Sequence, residues 1–352
     1  MPEAKAPSRT HKITLIPGDG IGPEVTAATV AILEAAGQQT GCSLEWHRYD
    51  AGADAFAKTG EYIPHALMES ITTNKVALKG PVTTPIGGGF SSINVQLRKR
   101  FDLYANFRPV KSLPGLKSNY PNVDLVIFRE NTEDLYAGLE VMVQPGVAQS
   151  LKIITEKGST RIAKAAFEYA RKHGRKKVHA IHKANIMKLS DGLFIKCCKA
   201  VAEQYPEIAY FEHIVDNTCM QLVLNPWQYD VILTENLYGD ILSDLCSAFV
   251  GGLGLVPGAN LGTNSAIFEA VHGSAPDIAG QDIANPLASI LSSAMLLRYS
   301  LSLPEEADRI ERAVRSVLAA GYRTGDIYQD GMKRVGTTEM GDAVVAALER
   351  AA

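Results

Sequence analysis

The chain has 352 residues, enough for one large domain or two ordinary ones. Hydrophobic residues make up 46% and charged residues 21%, which excludes a disordered chain and allows a sizeable core. A net charge of -3 argues against a nucleic-acid binder, and no apolar run reaches the roughly 18 residues needed to cross a membrane.

Residues 1–12 are polar and lack the apolar stretch of a secretory signal. Residues 12–16 (KITLI) read as a buried strand. The glycines Gly18, Gly20 and Gly22 follow, then an amphipathic segment over 23–36 and a second strand over 43–49 that ends at Asp50. Strand, glycines, helix, strand and acid imitate a dinucleotide-binding fingerprint, but GxGxG is not GxGxxG. A tight loop whose glycines supply positive φ fits the same pattern. A helix at 67–72 and a strand at 75–79 lead into the loop GPVTTPIGGGF. That loop lies at a strand's carboxyl end, where open α/β sheets gather ligands.

The stretch from Ser91 to Arg108 predicts a short helix and then a strand. Ile93, Leu97 and Phe101 form one apolar stripe, while Asn94 and Arg98 form a second, also four apart. Ser91 or Ser92 stands at the N-cap position. Arg98, Arg108 and the later Arg129 suit a small anion with more than one carboxylate, because the guanidinium fork binds carboxylates bidentately. Lys99 and Arg100 in the same helix also fit a solvated basic face.

Strands are predicted at 125–128, 178–181, 210–215, 230–234 and 267–271, alternating with helices at 159–173, 189–205, 241–250, 287–301, 304–320 and 342–351. Such alternation predicts an α/β fold. Two β-rich runs, 140–143 and 151–155, are joined by QPGVAQ and predict a projecting arm over about 138–155. Asp240 and Asp244 share one helix face, and their oxygens suit Mg²⁺ or Mn²⁺, or a solvated helix N-terminus. Ile241, Leu242 and Leu245 are expected on the opposite side. Asp216 opens another helix, where an acid caps the first turn in any case. Tyr136 and Lys183 are candidates for proton transfer; both titrate near 10 when unperturbed. A second glycine-bearing loop starts at His272, and its Asp277 could bond a ribose diol and repel a 2′-phosphate. Five cysteines, Cys197 and Cys198 adjacent and no CxxC pair present, argue against a disulfide framework or zinc site. They fit a reducing cytosol, and a cytoplasmic protein is expected.

Six motifs occur in order along nearly the whole chain: PGDGIGPE, LRKRFDLYANFRP, RENTEDLYAG, HKANIMKLSDG, ENLYGDILSD and HGSAPDIAGQDIANP. Together they resemble the β-decarboxylating dehydrogenases, the isocitrate/isopropylmalate dehydrogenase family. The resemblance implies a two-domain α/β fold with central sheets flanked by helices, not a conventional Rossmann fold. It also implies a discontinuous large domain, 1–103 plus 256–352, and a small domain, 104–255, that carries the dimer contacts and the arm. The cleft between them would close on substrate.

The resemblance also implies roles. Arg98, Arg108 and Arg129 would clamp substrate carboxylates. Asp240 and Asp244, with Asp216 of the partner subunit, would hold a divalent ion, Mg²⁺ or Mn²⁺, acting as a Lewis acid. Lys183 of the partner subunit would take the hydroxyl proton, and Tyr136 would protonate the carbon left by decarboxylation. A homodimer is therefore expected, with a tetramer possible. NAD would lie against His272, Gly273, Ala275, Asp277, Ile278 and Asn285, with Thr83 and Thr84 opposite. Asp277 favours NAD over NADP. Ser92 and Asn94 favour isocitrate over 3-isopropylmalate, since an isopropyl group would leave them unpaired at about 1–3 kcal/mol each. Homoisocitrate is the nearest competitor, because one methylene discriminates weakly. A non-catalytic regulatory subunit is the other reading, although Tyr136, Lys183, Asp216, Asp240 and Asp244 are all present. A phosphate on Ser92 would set nearly two negative charges where the substrate binds.

Overall fold

The computed structural model describes residues 10–83 and 92–350. The first half of the chain alternates β1 (Thr10–Ile16), α1 (Gly22–Thr40), β2 (Ser43–Arg48), α2 (Ala53–Thr59), α3 (His65–Asn74), β3 (Val76–Lys79), α4 (Ile93–Arg100), β4 (Ala105–Lys111) and β5 (Asp124–Glu130). Then come β6 (Glu140–Gln144), β7 (Val147–Ser150), α5 (Glu156–Lys172), β8 (Lys177–His182), α6 (Ser190–Ala202), β9 (Ala209–Ile214), α7 (Val215–Leu224), β10 (Val231–Thr234) and α8 (Asn236–Ser247). The chain closes with β11 (Pro257–Leu261), β12 (Ala266–Ala270), α9 (Leu287–Tyr299), α10 (Pro304–Ala319), β13 (Tyr322–Arg323), β14 (Lys333–Arg334) and α11 (Thr337–Arg350).

Ten strands form one mixed sheet in the order β2-β1-β3-β12-β11-β4-β5-β10-β8-β9. Both wings are parallel, and the antiparallel pairs β12–β11, β11–β4 and β4–β5 join them at the centre. The inner strands are buried on both faces, so alternate residues enter different cores, while the edge strands β2 and β9 are partly exposed. Leu15, Leu78 and Phe128 pack with α1, α5, α9 and α10 on one side. On the other, Ile16 and Ala77 pack with α3 and α4, while Ile127 and Ile232 pack with α7 and α8. Helix α9 lies in the interior, buried from Leu287 through Leu297, which is why it is apolar all round.

The α/β expectation and its helix-flanked sheet hold. Several local expectations do not. The arm's second strand runs over Val147–Ser150, inside the segment expected to be the turn, because Pro145 and Gly146 reverse the chain with Gly146 at φ 78. Strand β11 (PGANL) is absent from the expected strands, yet it is central, pairing with β12 along its length and with β4 over Ala259, Asn260 and Leu261. On α8, Ile241 is exposed instead of buried, because Leu242 and Cys246 make the inward stripe and Ile241 sits about 100° round from it.

Candidate active site

The carboxyl ends of the parallel strands carry the charged groups. Lys79 ends β3, Arg129 lies near the end of β5, Lys183 follows β8, Asp216 follows β9, and Glu235 and Asn236 follow β10. Arg98 comes from α4 and Arg108 from the middle of β4. All three arginines are buried, with 9%, 5% and 1% exposure for Arg98, Arg108 and Arg129. Burial at this level requires partners for the charge.

Arg129 donates to Asn236 Oδ1 from Nε at 2.9 Å and from Nη2 at 2.6 Å, and from Nη1 to Asp240. Arg108 lies 3.6 Å from Asp240 and 3.7 Å from Asp244, and donates to Ser243 Oγ. Arg98 is 3.9 Å from Glu269, which is bound more tightly by the buried ammonium of Lys79. Tyr136 donates its hydroxyl to Asp240 Oδ2 at 2.5 Å, and the Arg129 guanidinium sits 4.9 Å from the centre of its ring. Helix α8 comes this close because residue 239 is glycine. A Cβ there would stand 2.4 Å from Thr234 Oγ1 and 2.5 Å from Arg129 Cγ.

Burial, then repulsion by Arg129, lowers Arg98 to about 10 and Arg108 to about 9. Burial pulls Asp240 upward, but Arg129, the Tyr136 hydroxyl and Arg108 outweigh it and hold the carboxyl below its usual range. Asp244 moves the other way, raised by burial, with Asp240 adding and Arg108 opposing. Burial and the bond to Asp240 raise Tyr136, so its phenol stays protonated at neutral pH.

A cavity of about 120 Å³ is lined by Asn94, Arg98, Arg108, Glu269, His272 and Gly273, among others. Five polar atoms of its lining residues, Asn94 Oδ1, Arg98 Nε, Asn106 Oδ1, Arg108 Nε and His272 Nε2, are buried without a hydrogen-bond partner. Buried donors and acceptors left unpaired are costly; a carboxylate would satisfy the two arginine donors, and a hydroxyl on the same ligand could donate to an acceptor. Ser92 stands at the N-cap position of α4 but makes no side-chain cap bond. Lys79 and Glu269 belong to this site and escaped the sequence reading; they face each other across 190 positions, so no local pattern links them.

The loop after β12 brings His272 and Gly273 into the same cavity. Ala275 adopts φ 38, Asp277 is exposed on a short 3₁₀ turn, and Ile278 packs against the core cluster of Ile21, Val25 and Ala284. Asn285 is buried and donates to Asp326 at 3.0 Å. Thr83 shares a hydrogen bond of 2.8 Å with Ser274 in this loop, and its N–H donates to Asp19 at 2.7 Å. Thr84 and Ser91 lie outside the described residues.

The dinucleotide-like fingerprint at Gly18–Gly22 is occupied by the protein itself. A Cβ at Gly18 would meet the Pro81 carbonyl at 2.0 Å, and one at Gly20 the Ser274 carbonyl at 2.0 Å. The glycines therefore let three loops pack together, and the fingerprint's acid, Asp50, is paired with Lys58 at 2.6 Å.

Lys183 donates to Asp216 at 2.7 Å, which holds that exposed carboxyl below its usual range. Among the described residues, neither group shares a hydrogen bond or ion pair with the three arginines, Tyr136, Asp240 or Asp244. Among the described residues the two sets of groups are therefore not joined. No group of three or more His, Cys, Asp or Glu among the described residues is placed to hold a metal ion. Asp240 and Asp244 fit part of an oxygen donor set for Mg²⁺ or Mn²⁺; Asp216 of the same chain faces Lys183 instead.

Three buried arginines thus lie beside a hydrogen-bonded tyrosine–aspartate pair, an arrangement with the chemistry to bind carboxylates. The chain belongs to the isocitrate/isopropylmalate dehydrogenase family, whose sequence profile matches residues 12–344. It is 52% identical over 316 residues to a mitochondrial catalytic subunit, number 5, of isocitrate dehydrogenase (NAD) from Arabidopsis thaliana, covering 89% of this chain and 83% of the relative. It is 54% identical over 322 residues to a mitochondrial regulatory subunit of isocitrate dehydrogenase (NAD) from Dictyostelium discoideum, covering 91% and 88%. The crystal structure of isocitrate dehydrogenase from Methylococcus capsulatus superposes with a TM-score of 0.92 at 48% identity, covering 96% of this chain and 99% of that one. The cytoplasmic expectation is overturned, since both relatives are named as mitochondrial proteins. Its basis was five free thiols, which fit any reducing compartment equally well.

Proposed function

We propose that the chain catalyses the oxidative decarboxylation of isocitrate to 2-oxoglutarate and CO₂ with reduction of NAD⁺, dependent on a divalent metal. The observation that carries this reading is the set of unpartnered donors, Arg98 Nε and Arg108 Nε, around the cavity that also holds Asn94. Three buried cations and a buried amide favour a tricarboxylate over a substrate with an isopropyl group.

Arg98, Arg108 and Arg129 bind and orient the substrate carboxylates, while Ser92 and Asn94 read the third one. The hydroxyl proton passes to Lys183 of the partner subunit. Tyr136, protonated and hydrogen-bonded to Asp240, donates a proton to the carbon from which CO₂ has left. Mg²⁺ or Mn²⁺ held by Asp240, Asp244 and Asp216 of the partner subunit would supply Lewis acidity, and NAD held by the His272–Asn285 loop with Thr83 and Thr84 would supply the hydride acceptor.

The separation of Lys183 and Asp216 from the other groups supports a homodimer with shared sites. So do exposed apolar side chains on the arm (Val141, Met142), in the turns after β8 (Ile186, Leu189) and on α7 and α8 (Leu224, Ile241). The strand order supports a division into 1–103 plus 256–352 and 104–255: the five strands from β2 to β11 come from residues 10–79 and 257–270, and the five from β4 to β9 from 105–234. Asp277, exposed and acidic, supports NAD over NADP.

Initial rates with isocitrate, homoisocitrate and 3-isopropylmalate, each with NAD and NADP, test the reading. Isocitrate with NAD should give the highest kcat/KM; preference for 3-isopropylmalate would sink it. The 54% identity to a regulatory subunit favours a second reading, a ligand-binding subunit that tunes a partner. A purified chain that turns over none of these substrates but activates a co-expressed homologue would establish that one.

A further inference from the structure

Beneath the candidate site lies a buried cluster that the mechanism does not use. Lys152, just after the arm, donates to Asp191 Oδ1 at 2.7 Å and Glu235 Oε2 at 2.5 Å, and is 4.0 Å from Asp134 Oδ1. Its ammonium also lies 3.4 Å from the Tyr238 hydroxyl and 4.5 Å from the centre of that ring. The three carboxylates are essentially inaccessible, with 0–1% exposure.

Each carboxylate also holds a different catalytic segment. The other oxygen of Asp191 accepts the backbone N–H of Lys183 at 2.6 Å. The other oxygen of Asp134, two residues before Tyr136, accepts the N–H of Leu237 at 2.8 Å. Glu235 is the residue that opens α8, which carries Asp240 and Asp244. One ammonium thus ties together the Lys183 loop, the Tyr136 turn and the aspartate helix.

Resting on the dehydrogenase reading above, we propose that Lys152 is a positioning residue: through Asp191, Glu235 and Asp134 it registers the half-site this chain completes for itself with the half-site it lends to a second copy. Three carboxylates around one cation leave excess negative charge. This accords with the Glu235 carboxyl, which burial and Asp191 raise to about 8 despite Lys152. Lys152 is raised as well, against the effect of burial, chiefly by Glu235 and Asp191.

Lys152→Met keeps the stem and removes the charge. The expected result is a kcat for isocitrate about 100-fold lower, the cost of a misplaced catalytic group, with KM within about threefold. Independently of activity, reaction of Lys183 with trinitrobenzenesulfonate, mapped by mass spectrometry, should speed up several-fold as its loop loosens. If Lys152→Met does not fold, Asp191→Ser carries the test; it leaves Lys152 paired with Glu235 and removes the carboxylate that joins Lys152 and the Tyr238 hydroxyl to the Lys183 loop. Folded variants with wild-type kcat and unchanged Lys183 labelling overturn the inference. A wild-type protein inert toward all three substrates defeats the dehydrogenase reading, while the labelling still decides the role of Lys152.

Discussion

A single missing methyl group shapes the arginine clamp. Gly239 lets α8 run against Arg129, and the space for a Cβ there is filled by Thr234 and Arg129 atoms within 2.6 Å. Gly239→Ala should displace the guanidinium, raising KM for isocitrate by about 10- to 100-fold, as loss of a charged hydrogen bond of about 1.5–3 kcal/mol requires. A steady-state titration checks it; an unchanged KM would mean that Arg129 serves only to brace Asn236. The sequence showed the glycine in YGDILSD without showing its reason, because the contact is with a residue far earlier in the chain. The arginines and aspartates were legible for the opposite reason. Helical spacing placed Asn94 with Arg98, and Asp240 with Asp244, on shared faces before any fold was known. Glu235 gives a second test at this scale. An unfolded chain releases this proton near the ordinary value of 4.5, and the folded chain holds it until about 8. The folded state binds more protons across that window, so this group's contribution is full below 4.5 and is lost as pH rises through 8. Glu235→Gln cannot titrate. The Tm of wild type relative to Glu235→Gln should therefore fall as pH rises from about 5 to about 9. A flat difference would place the proton elsewhere in the cluster.

At the scale of elements, the two glycine-bearing loops differ in what they face. The first, at Gly18–Gly22, is packed against Pro81 and Ser274. The second, at His272–Asn285, borders the cavity. Asp277→Lys should shift the NADP/NAD ratio of kcat/KM upward by about tenfold or more, since a like charge is replaced by an opposite one beside a 2′-phosphate. Asp50→Asn should leave the ratio unchanged, because Asp50 is engaged with Lys58. The reverse pattern would relocate the cofactor. Alternating strands and helices were readable because two-face burial makes strands continuously apolar. The exceptions are instructive. The strand PGANL carries proline and glycine, and only its two antiparallel neighbours make it a strand. The Lys152 cluster was invisible because its partners lie up to 83 positions away and none shares a periodic pattern with it.

For the whole molecule, the decisive feature is that one chain keeps two sets of the proposed catalytic groups apart. Lys183 and Asp216 pair with each other, apart from Tyr136, Asp240 and the arginines. In the proposed homodimer a second copy would bring the two sets together, and the arm exposes Val141, Met142 and Val143. Complementation tests the arrangement without any structure of the dimer. Lys183→Met and Tyr136→Phe homodimers should each be nearly inactive. In a mixed dimer, the site built around the intact Tyr136 receives the intact Lys183 from the other chain, while the second site carries both lesions. Random reassociation of equal amounts makes half the dimers mixed, each with one working site of two, so about a quarter of wild-type activity should return. If each site were built within one chain, no mixture could exceed the residual activity of its parents.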